Sequence, residues 1–306
     1  MGDPIVSPTE PIGRAAPPSR AGLGECKVTI GILAALPPVR PLRFAVIAAL
    51  VLMLGGCSWL GLGGDEPKIA EQPPEVLYNK AFDLMQTGKF REASKMFDEV
   101  ERQHPYSSWA TQAQLMSAYA HYVNNEYDDA IISLDHFIDL HPGHRSAPYA
   151  YYLKALCYYE QITDVGRDQK NTESALESLA EVVARFPNTD YSRDASLKLD
   201  LTRDHLAGKE MEIGRYYENR GEYLAAVNRF RTVVEKYQTT THVPEALHRL
   251  VECYLALGVN DEAQTAGAVL GYNFPGTDWY QDSYALLTGK NLQPEVKEGS
   301  WLSGVF

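Results

Sequence analysis

The sequence predicts an all-α fold, a superhelical solenoid of five helix-turn-helix repeats, and two observations carry that prediction. From Gly221 to Tyr237 the apolar residues Tyr223, Ala226, Val227, Phe230, Val233, Val234 and Tyr237 fall at i, i+3, i+4, i+7, i+10, i+11 and i+14. At about 100° per residue this places them on one stripe of one helix, which is therefore buried. The same ruler recurs four times as alanine, a large residue four positions on, and proline twelve positions on. Ala93, Phe97 and Pro105 fit it, as do Ala130, Leu134 and Pro142, then Ala175, Leu179 and Pro187. Ala263 and Pro275 make the last copy, with Gly267 in the middle place. Gln238 replaces the proline after Tyr237, so Thr239, Thr240 and Thr241 are expected to stop that helix. Self-similarity overrides the two-domain prior that 306 residues would set, because such arrays grow by copying one unit.

The elements follow in chain order. Residues 1–39 hold many prolines and no sustained period, and are expected to be a disordered leader. Residues 40–56 read as a signal peptide: Arg40 and Arg43, the short apolar run Phe44 to Leu54, then Gly55-Gly56-Cys57. The apolar run is about half the roughly 20 residues of a spanning helix. A signal normally opens close to its basic segment, so translation is expected to begin further in than Met1. Residues 57–74 are rich in glycine and proline and read as a flexible tether, keeping the domain within about 25 Å of its anchor.

Residues 75–190 hold repeats 1 to 3. In the first, Leu77, Ala81, Leu84 and Met85 mark one helix, Gly88 the turn, and Phe90 to Val100 the second helix. In the second, Leu115 to Tyr122 precede a turn at Asn124 and Asn125, and Tyr127 to Phe137 follow. In the third, a helix from Ala147 to about Gln161 is followed by a polar insertion, Asp164 to Thr172, expected to be a surface loop. Residues 191–287 begin with about thirty residues of unbroken helical spacing, read as one long helix or two nearly coaxial ones with a bend near Gly208. Repeats 4 and 5 and a capping helix, Asp278 to Leu287, complete that half. Residues 288–306 are expected to be a disordered tail, with Trp301 to Phe306 apolar and exposed.

Composition narrows the function. With 45% hydrophobic and 22% charged residues this is an ordinary soluble composition, and a net charge of −12 excludes a phosphate-backbone partner, which would need a basic face. No catalytic motif appears: no GxSxG, no glycine-rich phosphate loop, no placed Cys/His pair. His141 and His144 flank the turn residues Pro142 and Gly143, and two histidines alone make no metal site. No enzyme activity, cofactor or metal is expected. Cys157 and Cys253 sit in helical apolar patterns and are read as buried free thiols or as one bridge between distant repeats.

Resemblances add to this reading. Leu54-Gly55-Gly56-Cys57 resembles the bacterial lipobox, which implies lipid attachment at Cys57, and Ser58 after it implies delivery to the outer membrane. The alanine, aromatic and proline ruler resembles the tetratricopeptide repeat. Together with the lipobox and the long bridging helix, Asp204-His205-Leu206-Ala207, Tyr216-Tyr217-Glu218-Asn219-Arg220-Gly221 and Val227-Asn228-Arg229 resemble the BamD (ComL) family of outer-membrane assembly lipoproteins. The resemblance covers Cys57 to about Tyr284. It implies a non-enzymatic, lipid-anchored scaffold at the periplasmic face of the outer membrane. The carboxy-terminal repeats would dock a POTRA domain of BamA beside other assembly lipoproteins, and the amino-terminal repeats would receive unfolded outer-membrane proteins. A different periplasmic repeat lipoprotein, coordinating peptidoglycan synthesis or cell division, is the alternative.

Docking is carried over to Arg229, with Arg220 second. At about 100° from the centre of its stripe, Arg229 flanks the buried face. For the substrate groove, too many tyrosines surround the first helices of repeats 2 and 3 for all to be core. Tyr119, Tyr122, Tyr151 and Tyr158 are candidates, Tyr152 and Tyr159 are read as packing, and Arg91 would attract a terminal carboxylate.

Overall fold

The computed structural model describes residues 70–305. The leader, the signal segment, Cys57, most of the tether and Phe306 lie outside the described residues. The chain from residue 69 on forms one compact unit of helices, with no strand among the described residues.

Five helical hairpins follow one another. They are α1 (Pro74–Gln86) with α2 (Phe90–Gln103), and α3 (Ser108–Val123) with α4 (Tyr127–Leu140). Next come α5 (Ala147–Tyr159) with α6 (Lys170–Arg185), and α7 (Asp190–Asn219) with α8 (Tyr223–Lys236). α9 (Val243–Leu257) pairs with α10 (Asn260–Asn273), and α11 (Asp278–Gly289) caps the array.

The turn inside a hairpin needs one left-handed residue to reverse the chain at once. Gly88, Asn125, Gly221 and Gly258 supply it at φ of 60° to 77°, and the third hairpin replaces that turn with its insertion. Between hairpins, Ser107, Thr189 and Thr277 cap the next helix by accepting the backbone N–H three residues on. At Gln238 the chain turns without proline. There Thr240 donates to the Tyr237 carbonyl at 2.8 Å, and Thr241 bonds Asp204 of α7 through N–H and hydroxyl.

The ruler is the core. Ala93, Phe97, Ala130, Leu134, Ala175, Leu179, Ala226, Phe230 and Ala263 have no solvent exposure. Each buried Phe or Leu stabilises by about 1.5–3 kcal/mol, and the alanines let neighbouring helices close in. Of the opening stripe, Tyr223 and Tyr237 are half-buried and the other five are buried. At Gly267 a Cβ would lie 2.6 Å from Leu287 Cδ1, so the cap's leucine fills the space that a large residue occupies in the other repeats.

Three expectations change. α7 is one continuous helix of thirty residues, and Gly208 serves close approach rather than a bend, because a Cβ there would sit 3.3 Å from His242 Nε2. The tether ends before Pro74, since the Gln72 N–H donates to Gln103 at 3.0 Å and its carbonyl lies 2.6 Å from His104 Nε2. The tail is not disordered over 288–305. Gln264 of α10 donates to the Gln293 carbonyl and accepts from Glu295 N–H, Lys297 N–H reaches Thr265, and Ser300 reaches Glu262. A short 3₁₀ helix, Trp301–Gly304, then buries Leu302, while Trp301 donates to Tyr254 at 3.0 Å beneath the Arg231 guanidinium, 4.2 Å away.

The first helix of a hairpin also packs on the first helix of the next: α1 on α3, α3 on α5, α5 on α7, and α9 on α11. The array is thus shortest along its first helices, which line the inner wall.

Candidate functional site: a tyrosine wall and an ion network on the first helices

Tyr119 and Tyr122 of α3, three apart and so on one face, stack at 6.4 Å, and Tyr127 at the start of α4 lies 5.9 Å from Tyr122. Tyr149 and Tyr152, likewise three apart on α5, both meet Tyr191 in the first turn of α7, at 5.7 and 5.4 Å. The two groups meet at one core cluster, which Tyr119, Tyr122, Tyr127 and Tyr149 all border. Burial, first, and the tyrosines around it push the Tyr149 phenol up. Burial, then the hydrogen bond to Asp194, does the same for Tyr152. Asp194 in turn pairs with Lys198 at 2.9 Å. Tyr149 and Tyr152 therefore keep their phenolic protons at neutral pH. The wall formed by the two groups offers aromatic faces for stacking and hydroxyls for a chain's carbonyls. Beyond it, Tyr159, Ile162, Leu201, Thr202 and His205 line an open cleft of about 420 Å³.

Tyr119 and Tyr122 lie on the first helix of the second hairpin, half-buried against its core. Tyr151 borders the same core cluster as Tyr119 and Tyr149 and also the next one, toward α6. Tyr151 packs on Phe186, the C-cap of α6, at 5.4 Å and accepts a hydrogen bond from Arg185 at 2.7 Å, and Tyr158, one heptad on, shares its face. Tyr149, Tyr152 and Tyr191 pack together beside Tyr119 and Tyr122. The i, i+3 spacing of Tyr149 and Tyr152 was a usable signal; that of Tyr191, two turns of chain away across a hairpin, was not. Arg91 is exposed at 69% but bound: its Nε and Nη2 both reach Glu126 Oε1, while Glu126 Oε2 takes His121 at 2.8 Å. With Asp129, His121 and Glu126 place ligand-type atoms within 4.8 Å of one another, but Arg91 and His121 already satisfy Glu126, so the trio reads as an ion network.

On repeats 4 and 5, Arg229 pairs with Glu210 of α7 at 3.1 Å and stays 42% exposed. Arg220 lies over the Tyr216 ring, donates to its hydroxyl at 2.9 Å and pairs with Glu222 at 3.0 Å. Arg220 is the C-cap of α7 and Arg229 lies on α8, on the two sides of the turn at Gly221.

The first helices of this half carry a network that sequence reasoning missed. Arg215 of α7 bonds Glu245 of α9 at 2.9 and 3.1 Å. Arg249 Nη1 donates to Glu252 at 2.8 Å, while its buried Nε has no hydrogen-bond partner, 3.6 Å from Glu245 and 3.7 Å from Glu218. Glu218, 13% exposed, pairs with Arg249 Nε at 3.7 Å and lies 3.7 Å from the Cys253 thiol, and burial pushes its carboxyl up to about 7. His248 holds Ser283 of α11 at 2.8 Å and stacks near Trp279 at 5.2 Å. Cys157 and Cys253 are both free and buried, and burial raises both thiols, so neither is a ready nucleophile.

Residues 70–270 match the family model described as outer membrane lipoprotein (YfiO). An outer membrane protein assembly factor BamD of Caulobacter vibrioides is 52% identical over 257 residues, covering 83% of this chain and 84% of that protein. The BamD of Rickettsia prowazekii is 44% identical over 81% of this chain and 97% of its own length. The BamD of Neisseria meningitidis is 34% identical over 76% and 91%. Among solved structures, a thermophilic TPR protein of Thermus thermophilus aligns at 19% identity and a TM-score of 0.33, over 71% of this chain and all of that one.

Proposed function

This chain belongs to the BamD family of outer membrane protein assembly factors, and on that footing we propose that it is a non-enzymatic scaffold of outer-membrane protein assembly. It is anchored by lipid at Cys57, docks BamA through repeats 4 and 5, and receives unfolded β-barrel chains along repeats 1 to 3. No helix among the described residues is long and apolar enough to cross a membrane. The lipobox at Cys57 supports attachment by lipid.

The tyrosine wall is the observation that carries the substrate reading. An unfolded barrel strand presents alternate aromatic and apolar side chains and unpaired backbone carbonyls. Phenol rings packed side by side, with hydroxyls to donate, match both. Arg91, neutralised by Glu126, is a poor lone receptor for a carboxylate, so stacking rather than charge dominates recognition.

For BamA, the support is that Arg229 and Arg220 keep exposed guanidiniums on the fourth hairpin. An Arg229→Glu protein that keeps its helical circular dichroism is expected to lose BamA binding; unchanged binding overturns the docking role.

A further inference from the structure

The tail that follows α11 leaves one of its edges unused. Residues 292–297 form neither helix nor turn, and Pro294 fixes its own φ while holding Gln293 in the extended region. The Gln293 carbonyl takes the Gln264 side chain at 2.7 Å, Glu295 N–H donates to the Gln264 carbonyl at 3.3 Å, and Lys297 N–H donates to Thr265 at 3.1 Å. Residues 293, 295 and 297 thus all turn backbone groups toward α10, which is the alternation of an extended strand. Pro294 and Val296 turn theirs the other way. Among the described residues nothing pairs with the Pro294 carbonyl, the Val296 N–H or the Val296 carbonyl. The same two residues line a cleft of about 410 Å³ with Val269 and Tyr272 of α10 and Leu302 of the 3₁₀ helix. Tyr272 and Val296 are both exposed. Glu295 is the one charged residue on the lining, and Lys297 neutralises it.

We propose that this edge and cleft dock an extended segment of a partner polypeptide, which adds a strand along Pro294 and Val296 and sets one large, uncharged apolar side chain against Val269, Tyr272 and Leu302. Unpaired backbone groups beside an apolar hole are the two halves of strand addition: main-chain bonds hold the segment, and the hole selects a side chain. The edge favours an extended chain over a helix, whose backbone groups are spent within itself, and over a lipid chain, which has no N–H to give. The charge balance favours an uncharged occupant, because the only carboxylate on the lining is already paired. The tail lies beyond residues 70–270, which match the family model. None of these residues belongs to the Arg229 site or the tyrosine wall, so the proposal stands apart from both readings.

The test uses the full chain with its valines labelled by ¹⁵N, titrated with the acetylated and amidated peptide Thr-Thr-Leu-Thr-Thr. A saturable shift of the Val296 amide signal is expected. Its exchange with water slows about tenfold at nine-tenths saturation, because only the unbound tenth exchanges. The peptide with alanine in place of leucine binds about tenfold more weakly, and the fully N-methylated peptide, which has no N–H to give, does not bind. Val296→Pro removes an N–H that the fold does not use, so the tail keeps its place, and binding weakens about fivefold for the lost hydrogen bond. Tyr272→Ser, at an exposed position, weakens binding through the cleft. No saturable shift, an equal response to the N-methylated peptide, or undiminished binding in both variants overturns the proposal. A Val296 amide already protected in the free chain that loses its protection on dilution also overturns it, by showing a second copy of this chain on the edge. The titration contains neither BamA nor a barrel-derived peptide, so its failure is separate from the outcome for Arg229→Glu.

Discussion

Glu218 costs the fold something at neutral pH. Its carboxyl, raised by burial from 4.5 to about 7, binds its proton more tightly in the folded than in the unfolded chain. Such a group's contribution is fully present below about pH 4.5 and is lost as pH rises through 7. The expected loss is up to about 3 kcal/mol, the free-energy equivalent of that shift. A falling thermal midpoint between pH 5 and pH 8 follows, and Glu218→Gln should flatten that slope by removing the titration. A slope unchanged in the variant contradicts it. At the same scale, Gly214 lies under the Phe230 ring, where a Cβ would be 2.4 Å from a ring carbon. Gly214→Ala gains helix propensity of about 1 kcal/mol but forces the central aromatic of the repeat to shift. A net loss of about 1–2 kcal/mol in denaturant unfolding is expected.

At the scale of elements, the hairpins were legible because each rests on local spacing. Ala226 and Phe230 are buried as their positions in the stripe required, and Gly88 and Gly221 take the left-handed turn. The tail was not legible. Its order depends on partners distant in sequence: Trp301 needs Tyr254 and Arg231, and Lys297 needs Thr265. No pattern within 288–306 announces them. Likewise Tyr151 and Tyr149 look equivalent on α5 until α6 and α7 are in place, after which one packs on Phe186 and the other on Tyr191. The tail's contacts on α8, α9 and α10 make it a strap rather than an occupant of the tyrosine wall. Trp301→Ala is therefore expected to lower stability by about 2 kcal/mol and to leave peptide binding at repeats 1 to 3 unchanged. Tighter peptide binding in that variant would show that the tail competes for the wall.

At the scale of the molecule, the first helices divide one inner wall between two chemistries. Repeats 2 and 3 present stacked phenols, and repeats 4 and 5 present a charged network beside Trp279. α7 spans both halves as one helix, carrying Tyr191 at one end and Glu218 at the other. A scaffold that receives one polypeptide while held by another needs such a separation, and a single rigid helix fixes the distance between the two sites. The central claim is that unfolded barrel chains are read along the tyrosine wall. It is tested most directly by placing a photocrosslinking residue in turn at Tyr119, Tyr149, Tyr151 and Tyr216, and adding a labelled peptide from the aromatic-ended terminus of an outer-membrane β-barrel. The account predicts adducts from Tyr119 and Tyr149, with little from Tyr151 on the α6 side or from Tyr216 in repeat 4. Adducts confined to Tyr151 or Tyr216 would contradict it.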